Sequence, residues 1–266
     1  MHNPDVYRGE ERGLDLALVD ENFANGTYNE VVVGHNFFRG VLRRIEVDLY
    51  PKIPTGDLYR GYRTSDVTAG VYLPPKTAAV PYIMAELTQR MSTLYTKHEF
   101  RDEERVVFAA WSAWMFRDIH PKQDGNGRST KTVMGWFFPD HRFYGHIDNS
   151  WDKAVKAQQK KRLDDVAQIS GIEVPDNLLR IHHNSRTEPA TNVLEPFYRP
   201  TLDGIPRDLT AELILRDIHG TVVNEDRKFA QAGIAPEALE ALIDYIKVAP
   251  KRPRPPRGVL QRFFPR

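Results

Sequence analysis

Residues 120 to 131 bring together the side chains that phosphoryl-transfer chemistry requires. His120 can act as a base, and Asp124 can hold a hard cation against phosphate oxygens. Gly125 and Gly127 let the backbone approach a ligand closely. The helix expected after them offers free amide donors and the positive end of its dipole to an anion. A base, a metal carboxylate and an amide nest this close together indicate phosphoryl transfer.

Two basic residues follow the glycines. Arg128 and Lys131 are three positions apart, so both would lie on one face of a helix that begins there. Other phosphate motifs fit less well: a P-loop needs a glycine directly before its Lys-Ser/Thr pair, and here Thr130 precedes Lys131. The dinucleotide fingerprint needs a glycine at position 130 and a strand before the loop. A simple glycine-containing turn between two helices, with a solvated histidine, stays open as the alternative.

The helices on either side must position this loop. The segment 102–119 is apolar around nearly its whole circumference, which is typical of a helix at the centre of a core. It ends at His120, directly before Pro121. A second helix is predicted over 128–138, where Pro139 stops it. A buried helix therefore delivers the histidine at its C-terminal end.

The rest of the chain is predicted to be mostly helical. Apolar residues at helical spacing predict further helices over 14–19, 30–50, 76–95, 151–169, 209–218 and 236–248. Residues 58–75 alternate with a period of two around a polar turn, which predicts a β-hairpin. Lys160, Lys161 and Arg162 are expected on the solvated face of their helix.

Composition limits the function classes. The chain has 266 residues, and its 37 basic and 36 acidic side chains give a net charge of +1, so nothing attracts it globally to nucleic acid or to a membrane. It has no cysteine, which excludes disulfides, thiolate zinc sites and a cysteine nucleophile. No signal peptide is visible, and the longest apolar run, 106–116, is too short to cross a bilayer. We expect a cytoplasmic protein, with a secreted effector as the alternative.

The loop resembles the motif of the Fic family, His-Pro-Phe-x-(Asp/Glu)-Gly-Asn-Gly-Arg-x-x-Arg. It agrees at every specified position except Lys122, where the motif has Phe, and Lys131, where it has the second Arg. Supporting similarity covers about residues 58–138, in which a hairpin flap, Pro74-Pro75 and a helix follow one another as in that family. The resemblance implies a mostly α fold, a Fic-type helical bundle with a small β-hairpin flap.

The resemblance also implies roles for single residues. His120 would be the general base that takes a proton from a target hydroxyl, and Asp124 would hold Mg²⁺ against the phosphates. The catalytic set would be His120, Asp124 and Arg128. The phosphates would be bound by Gly125, Asn126, Gly127, Arg128 and Lys131. The flap residues that would clamp a target segment by strand addition are Tyr62, Val67, Val71, Tyr72 and Leu73.

The activity implied is transfer of AMP, or another nucleoside monophosphate, from ATP to a Ser, Thr or Tyr hydroxyl of a target protein. Two alternatives stay open: an inactive Fic fold used as a binding module, and a relative that transfers a different phosphate-containing group. Kinase-like Doc toxins have Lys-Arg after the Asn, so Gly127-Arg128 argues against that variant. The family's inhibitory helix has no complete match, although 17–22 comes near it, and an inhibitory partner stays open.

The two departures from the motif lead to specific expectations. Lys131 keeps the charge of the missing Arg but not its two-pronged geometry. Lys122 is expected at the rim of the site, because burying an unpaired ammonium costs several kcal/mol. The expected organisation is an N-terminal extension over 1–29 and a Fic-like domain over 30–170. A helical extension over 171–249 and a basic, proline-rich tail over 250–266 complete it.

Overall fold

The computed structural model describes residues 16–25, 27, 37–49, 61–69, 72–123, 125–143, 150–173, 204–249 and 251. The helices in this part of the chain are α1 (Leu16–Ala24), α2 (Phe37–Leu49), α3 (Val80–Lys97), α4 (Asp102–Ile119), α5 (Asn126–Phe137), α6 (Ser150–Ser170), α7 (Arg207–Gly220) and α8 (Pro236–Val248). Strands β1 (Val222–Val223) and β2 (Phe229–Ala230) form an antiparallel pair. The mostly α fold with a small two-stranded sheet is confirmed.

Helix α4 lies at the centre of the core. It packs against α3, α5, α6, α7 and α8. Its fully buried apolar residues are Phe108, Ala109, Ala110, Trp111, Ala113, Trp114, Met115 and Ile119. Burial on all sides explains why this stretch has no polar face, and it confirms the prediction of a central helix. None of the described helices is long and apolar enough to span a bilayer.

The start of α4 is fixed by charge and by hydrogen bonds. Its first turn carries Asp102, Glu103 and Glu104, which favour the positive end of the helix dipole. Arg101 donates to the Glu104 carboxylate through both its backbone amide and its side chain. The other carboxylate oxygen accepts from Phe229 N at 3.3 Å. The side-chain bond from Arg101 is the main cause that lowers the pKa of Glu104 to about 2.

The C-terminal helices complete the same core. The ring of Phe229 meets those of Phe100 and Phe108 with centroids 5.5 and 5.3 Å apart. Tyr245 of α8 is fully buried, and its hydroxyl donates to Phe143 O at 3.1 Å. The buried apolar residues that α7 and α8 add are Ala211, Ile214, Ile218, Leu242, Tyr245 and Ile246. Residues beyond 204 are therefore part of the packing around α4.

The segment predicted as a hairpin is held differently. Across the described residues of 58–75, one isolated bridge joins Ala69 to Tyr72, and the strand ladder lies at 222–230 instead. An arginine side chain binds backbone carbonyls that would otherwise pair with a neighbouring strand. Arg207 donates to Val67 O at 2.8 Å and to Pro74 O at 3.3 Å. In its described residues, the segment with the period-two pattern is therefore bound by side chains and not by a neighbouring strand.

Arg162 is not on a solvated face, so that prediction is wrong. The side chain of Arg162 is 3% exposed and lies between α4 and α7. Its Nε donates to Asp118 Oδ2 at 2.8 Å, and its Nη1 lies 2.6 Å from Asp217 Oδ2. The carboxylates of Asp118 on α4 and Asp217 on α7 offset the free-energy cost of burying the guanidinium charge. Its neighbours Lys160 and Lys161 lie on the surface, as expected. Each pairs with an aspartate one turn further along α6.

Candidate active site

His120 leaves α4 in a strained backbone conformation. Its φ of 51° and ψ of 58° place it in the left-handed region, which is uncommon for a residue other than glycine. The helix end is closed by His120 N, which donates to Phe116 O at 3.2 Å. Arg63 Nε donates to His120 O at 3.0 Å, and Arg63 N donates to Pro121 O at 2.8 Å. Such strain persists where surrounding contacts over-determine it, and here they do.

The surroundings of His120 keep its imidazole neutral. Burial lowers its pKa to about 3, and the positive charges of Arg117 and Arg63 act in the same direction. The ring is therefore unprotonated throughout the physiological range. A neutral imidazole is the form that can accept a proton, but a pKa this low makes it a weak base in the free protein.

Asn126 closes the loop between the two helices. Its Oδ1 accepts from Lys122 N at 2.9 Å, and its Nδ2 donates to Lys122 O at 2.8 Å. Asn126 is 3% exposed and Lys122 is 1% exposed. The prediction that Lys122 lies at the rim is therefore wrong. The clamp fixes the backbone of residue 122, and the side chain of Lys122 is buried.

Helix α5 begins earlier than predicted and presents free backbone amides at its start. Gly125 is its N-cap, with a φ of 79°, and the helix starts at Asn126. Ser129 N donates to Gly125 O at 2.9 Å. The amides of residues 126–128 precede that bond, so they have no acceptor within the helix. Gly127 and Arg128 thus lie in the first turn, where backbone donors and the helix dipole favour an anion.

Arg117 is a site residue that the sequence does not single out. A Cβ placed on Gly127 would lie 2.5 Å from Arg117 Nη1, so the guanidinium lies directly over the first turn of α5. The same charge helps to lower the pKa of His120. A larger residue at position 127 would therefore require the Arg117 side chain to move. The signal available in the sequence was a single basic residue in the last turn of an apolar helix.

The remaining predicted nucleotide residues are placed in part. Asp124 lies outside the described residues. Arg128 belongs to the first turn of α5, and Lys131 follows one turn later on the same helix. Within the described ranges, no group of three His, Asp or Glu residues could hold a metal. A magnesium ion at this loop would depend on Asp124 and on oxygens of the nucleotide itself, which is how Mg²⁺ is commonly held at phosphates.

Of the predicted flap residues, two are buried and two are at least partly exposed. Tyr72 is 1% exposed and donates its hydroxyl to Asp118 O at 2.8 Å, and Leu73 is 2% exposed in a small cluster with residues of α6 and α7. Tyr62 is 39% exposed, and Val67 is partly exposed. Val71 lies outside the described residues. Target docking by this segment stays a prediction, with Tyr62 as its exposed aromatic side chain.

Residues 40–138 match the model of the Fic/DOC family. That match supports the resemblance that the motif indicates, over the segment from α2 through α5. A solved structure of a Fic domain containing signaling protein from Bacteroides thetaiotaomicron VPI-5482 is similar at 14% identity, over 78% of this chain and 73% of that chain. The TM-score of this match is 0.39. No curated protein matches the sequence significantly.

Proposed function

We propose that this protein transfers AMP from ATP to a hydroxyl group of a target protein. The observation that carries the proposal is the placement of His120. Its neutral imidazole lies at the end of α4, and the short loop that Asn126 clamps leads from it to the amide-rich start of α5. A base and a set of free helix amides lie a few residues apart, as nucleotidyl transfer requires.

In the proposed reaction, His120 accepts the proton of the target hydroxyl while the hydroxyl oxygen attacks the α-phosphorus of ATP. The bond between that phosphorus and the oxygen bridging to the β-phosphate breaks, and pyrophosphate leaves. Negative charge on the phosphate oxygens is met by the first-turn amides of α5 and by the cations Arg117 and Arg128. A magnesium ion held by Asp124 would supply further charge neutralisation to the phosphates.

Nucleotide binding would also strengthen the base. A histidine with a pKa of about 3 is a weak base in the free protein. The polyphosphate brings negative charge beside the imidazole, and an opposite charge within a few ångströms favours the protonated form. The pKa of His120 therefore rises when ATP binds, toward the range in which a base is most effective.

The direct test is intact-mass analysis after incubation with ATP and Mg²⁺. We expect the protein, or a protein in an added lysate, to gain AMP. The His120→Ala variant should lose transfer by on the order of 10²–10⁴ in rate while its ATP affinity stays unchanged. A gain of phosphate alone would instead indicate a kinase-type relative. No gain with any nucleotide, together with no nucleotide binding, would indicate an inactive binding module.

A further inference from the structure

Arg63 joins three separate segments of the chain. It is 2% exposed. Within its own segment its Nη1 donates to Ser65 O at 3.2 Å. Toward the start of α3, Nη1 donates to Thr77 Oγ1 at 2.6 Å and Nη2 donates to Pro75 O. Its Nε faces the third segment and donates to His120 O.

The contact with His120 is specific in its geometry. The carbonyls of His120 and Pro121 follow the end of α4, where helix acceptors have no partner within the helix. Arg63 binds both, one through its side chain and one through its backbone amide. A guanidinium presents its donors in one rigid plane, so binding at Thr77 and Pro75 fixes where Nε can point. A lysine would carry the same charge without that fork.

We propose that Arg63 is a positioning residue that holds His120 in its left-handed backbone conformation and couples that conformation to the segment 61–69. The consequence for transfer rests on the function proposed above; the consequence for His120 itself does not. Arg63 touches neither nucleotide nor target in this proposal, and it acts through the backbone of the base.

The coupling to 61–69 runs through a second residue. Asp66 Oδ1 accepts from Thr77 N at 2.7 Å and from Thr77 Oγ1 at 2.8 Å, and it lies 3.5 Å from Arg63 Nη1. Segment 61–69, the start of α3 and the end of α4 therefore share one hydrogen-bonded network. A target segment that displaces residues 61–69 on docking would move the guanidinium, and with it the carbonyl of His120.

Two substitutions separate geometry from charge. Arg63→Lys keeps the positive charge but loses the fork, whereas Arg63→Gln loses both. Arg90 is the matched control, because its Nε and Nη2 donate to Thr221 O and His219 O at the end of another helix, α7. We expect both Arg63 variants to bind ATP normally and to transfer roughly 10- to 100-fold more slowly, as misplaced catalytic groups do. Arg90→Lys and Arg90→Gln should lower Tm comparably and leave the transfer rate unchanged.

The ring resonances of His120, assigned with a His120→Asn variant, give a readout that needs no transfer. Among the described residues, Arg117 and Arg63 are the charged groups that lower the pKa of this ring. Arg63→Lys should shift the His120 signals with little change in pKa. Arg63→Gln should in addition raise the pKa, because a positive neighbour is removed.

The proposal is overturned if a folded Arg63→Lys protein transfers at the wild-type rate. It is also overturned if Arg63→Lys and Arg90→Lys lower Tm equally and slow the transfer equally. If the wild-type protein transfers nothing, the proposed function fails, and the resonances decide alone. Unchanged His120 signals in Arg63→Lys would then overturn the positioning role, and shifted signals would support it.

Discussion

The side chain of Asn126 binds both backbone polar groups of Lys122, accepting from its N–H at 2.9 Å and donating to its C=O at 2.8 Å. Asn126→Asp keeps the acceptor but sets a carboxylate oxygen against Lys122 O. Since both residues are buried, we expect a loss of roughly 1–3 kcal/mol in the free energy of unfolding, the cost of a buried polar group left unsatisfied. ATP affinity should fall too, because the new negative charge lies at the anion site. Urea unfolding and ATP titration measure the two effects.

Asn224 provides the control for this substitution. In its exposed turn, Asn224 Oδ1 accepts from Lys228 N at 2.8 Å, a role that a carboxylate also performs. Asn224→Asp should therefore change the free energy of unfolding by less than about 0.5 kcal/mol. If Asn126→Asp loses no more stability than Asn224→Asp, the hydrogen bond that Asn126 Nδ2 donates to Lys122 O contributes nothing to stability.

Gly127→Ala tests the position of Arg117. The added methyl would lie 2.5 Å from Arg117 Nη1, and this flexible side chain can move away. Stability should hold or increase, because alanine is favoured over glycine in a helix by roughly 0.5–1 kcal/mol. ATP affinity should fall about tenfold, equivalent to roughly 1.4 kcal/mol, because the guanidinium leaves the first turn of α5. Calorimetry on Gly127→Ala, Arg117→Ala and the double variant measures the coupling.

In that double-mutant cycle, Arg117→Ala should remove most of the effect of Gly127→Ala. If the two losses simply add, the methyl group blocks the nucleotide by itself, and Arg117 has no part in binding it.

Arg162→Met should be strongly destabilising. It leaves Asp118 and Asp217 buried without the cation between them, and breaking a buried ion pair costs about 3–5 kcal/mol. Lys161→Met is the matched control, since Lys161 pairs with Asp165 at 3.4 Å on the surface. The control should change the free energy of unfolding by less than about 0.5 kcal/mol. Chemical denaturation of both variants gives the comparison, and similar small losses would contradict the structural role of Arg162.

Acid should destabilise the protein through His120. The folded pKa of about 3 lies below the ordinary 6.5, so between these values the unfolded chain binds a proton that the folded chain does not. Stability is therefore lost as the pH falls below 6.5, by about 2 kcal/mol between pH 7 and pH 5. The carboxylate of Glu104 acts in the same direction but only below its ordinary 4.5, outside this window.

Unfolding free energies at pH 5 and pH 7, for wild type and for His120→Asn, measure this effect. Asparagine tolerates the left-handed backbone and does not titrate here. The variant should lose less stability on acidification than the wild type by that amount. An identical loss in both proteins would mean that His120 titrates normally in the folded state.

Local signals in the sequence were enough to predict much of this fold. Helix α4 agrees to the residue with the prediction, because acidic residues mark its start and His120-Pro121 mark its end. Helix α8 does too, with Pro236 at its first position. The start of α5 was predicted two residues late, since nothing local showed that Gly125 would be its cap.

The partners of buried charged residues could not be predicted from local signals. Arg63 and Arg162 appear in the sequence as ordinary solvated arginines. Their acceptors come from segments 57 and 44 residues away, at His120 and Asp118. Lys122 is a different case: the clamp on its backbone comes from Asn126, only four residues along the chain, and the motif does not indicate that the lysine side chain is buried. The motif in the sequence is enough to locate the candidate site. The electrostatic environment of that site depends on tertiary contacts, which the motif does not show.

The contacts of Phe229, Tyr245 and Arg207 have a consequence for any shortened version of the chain. The family match ends at residue 138, yet these residues fill the space beside α4, bind Phe143 and hold the segment around Val67. An excised 40–138 fragment would keep the whole motif and still expose the apolar faces of α4 to water. We expect such a fragment to aggregate on expression, and residues 16–249, which include the core residues of α1, to melt in a single transition.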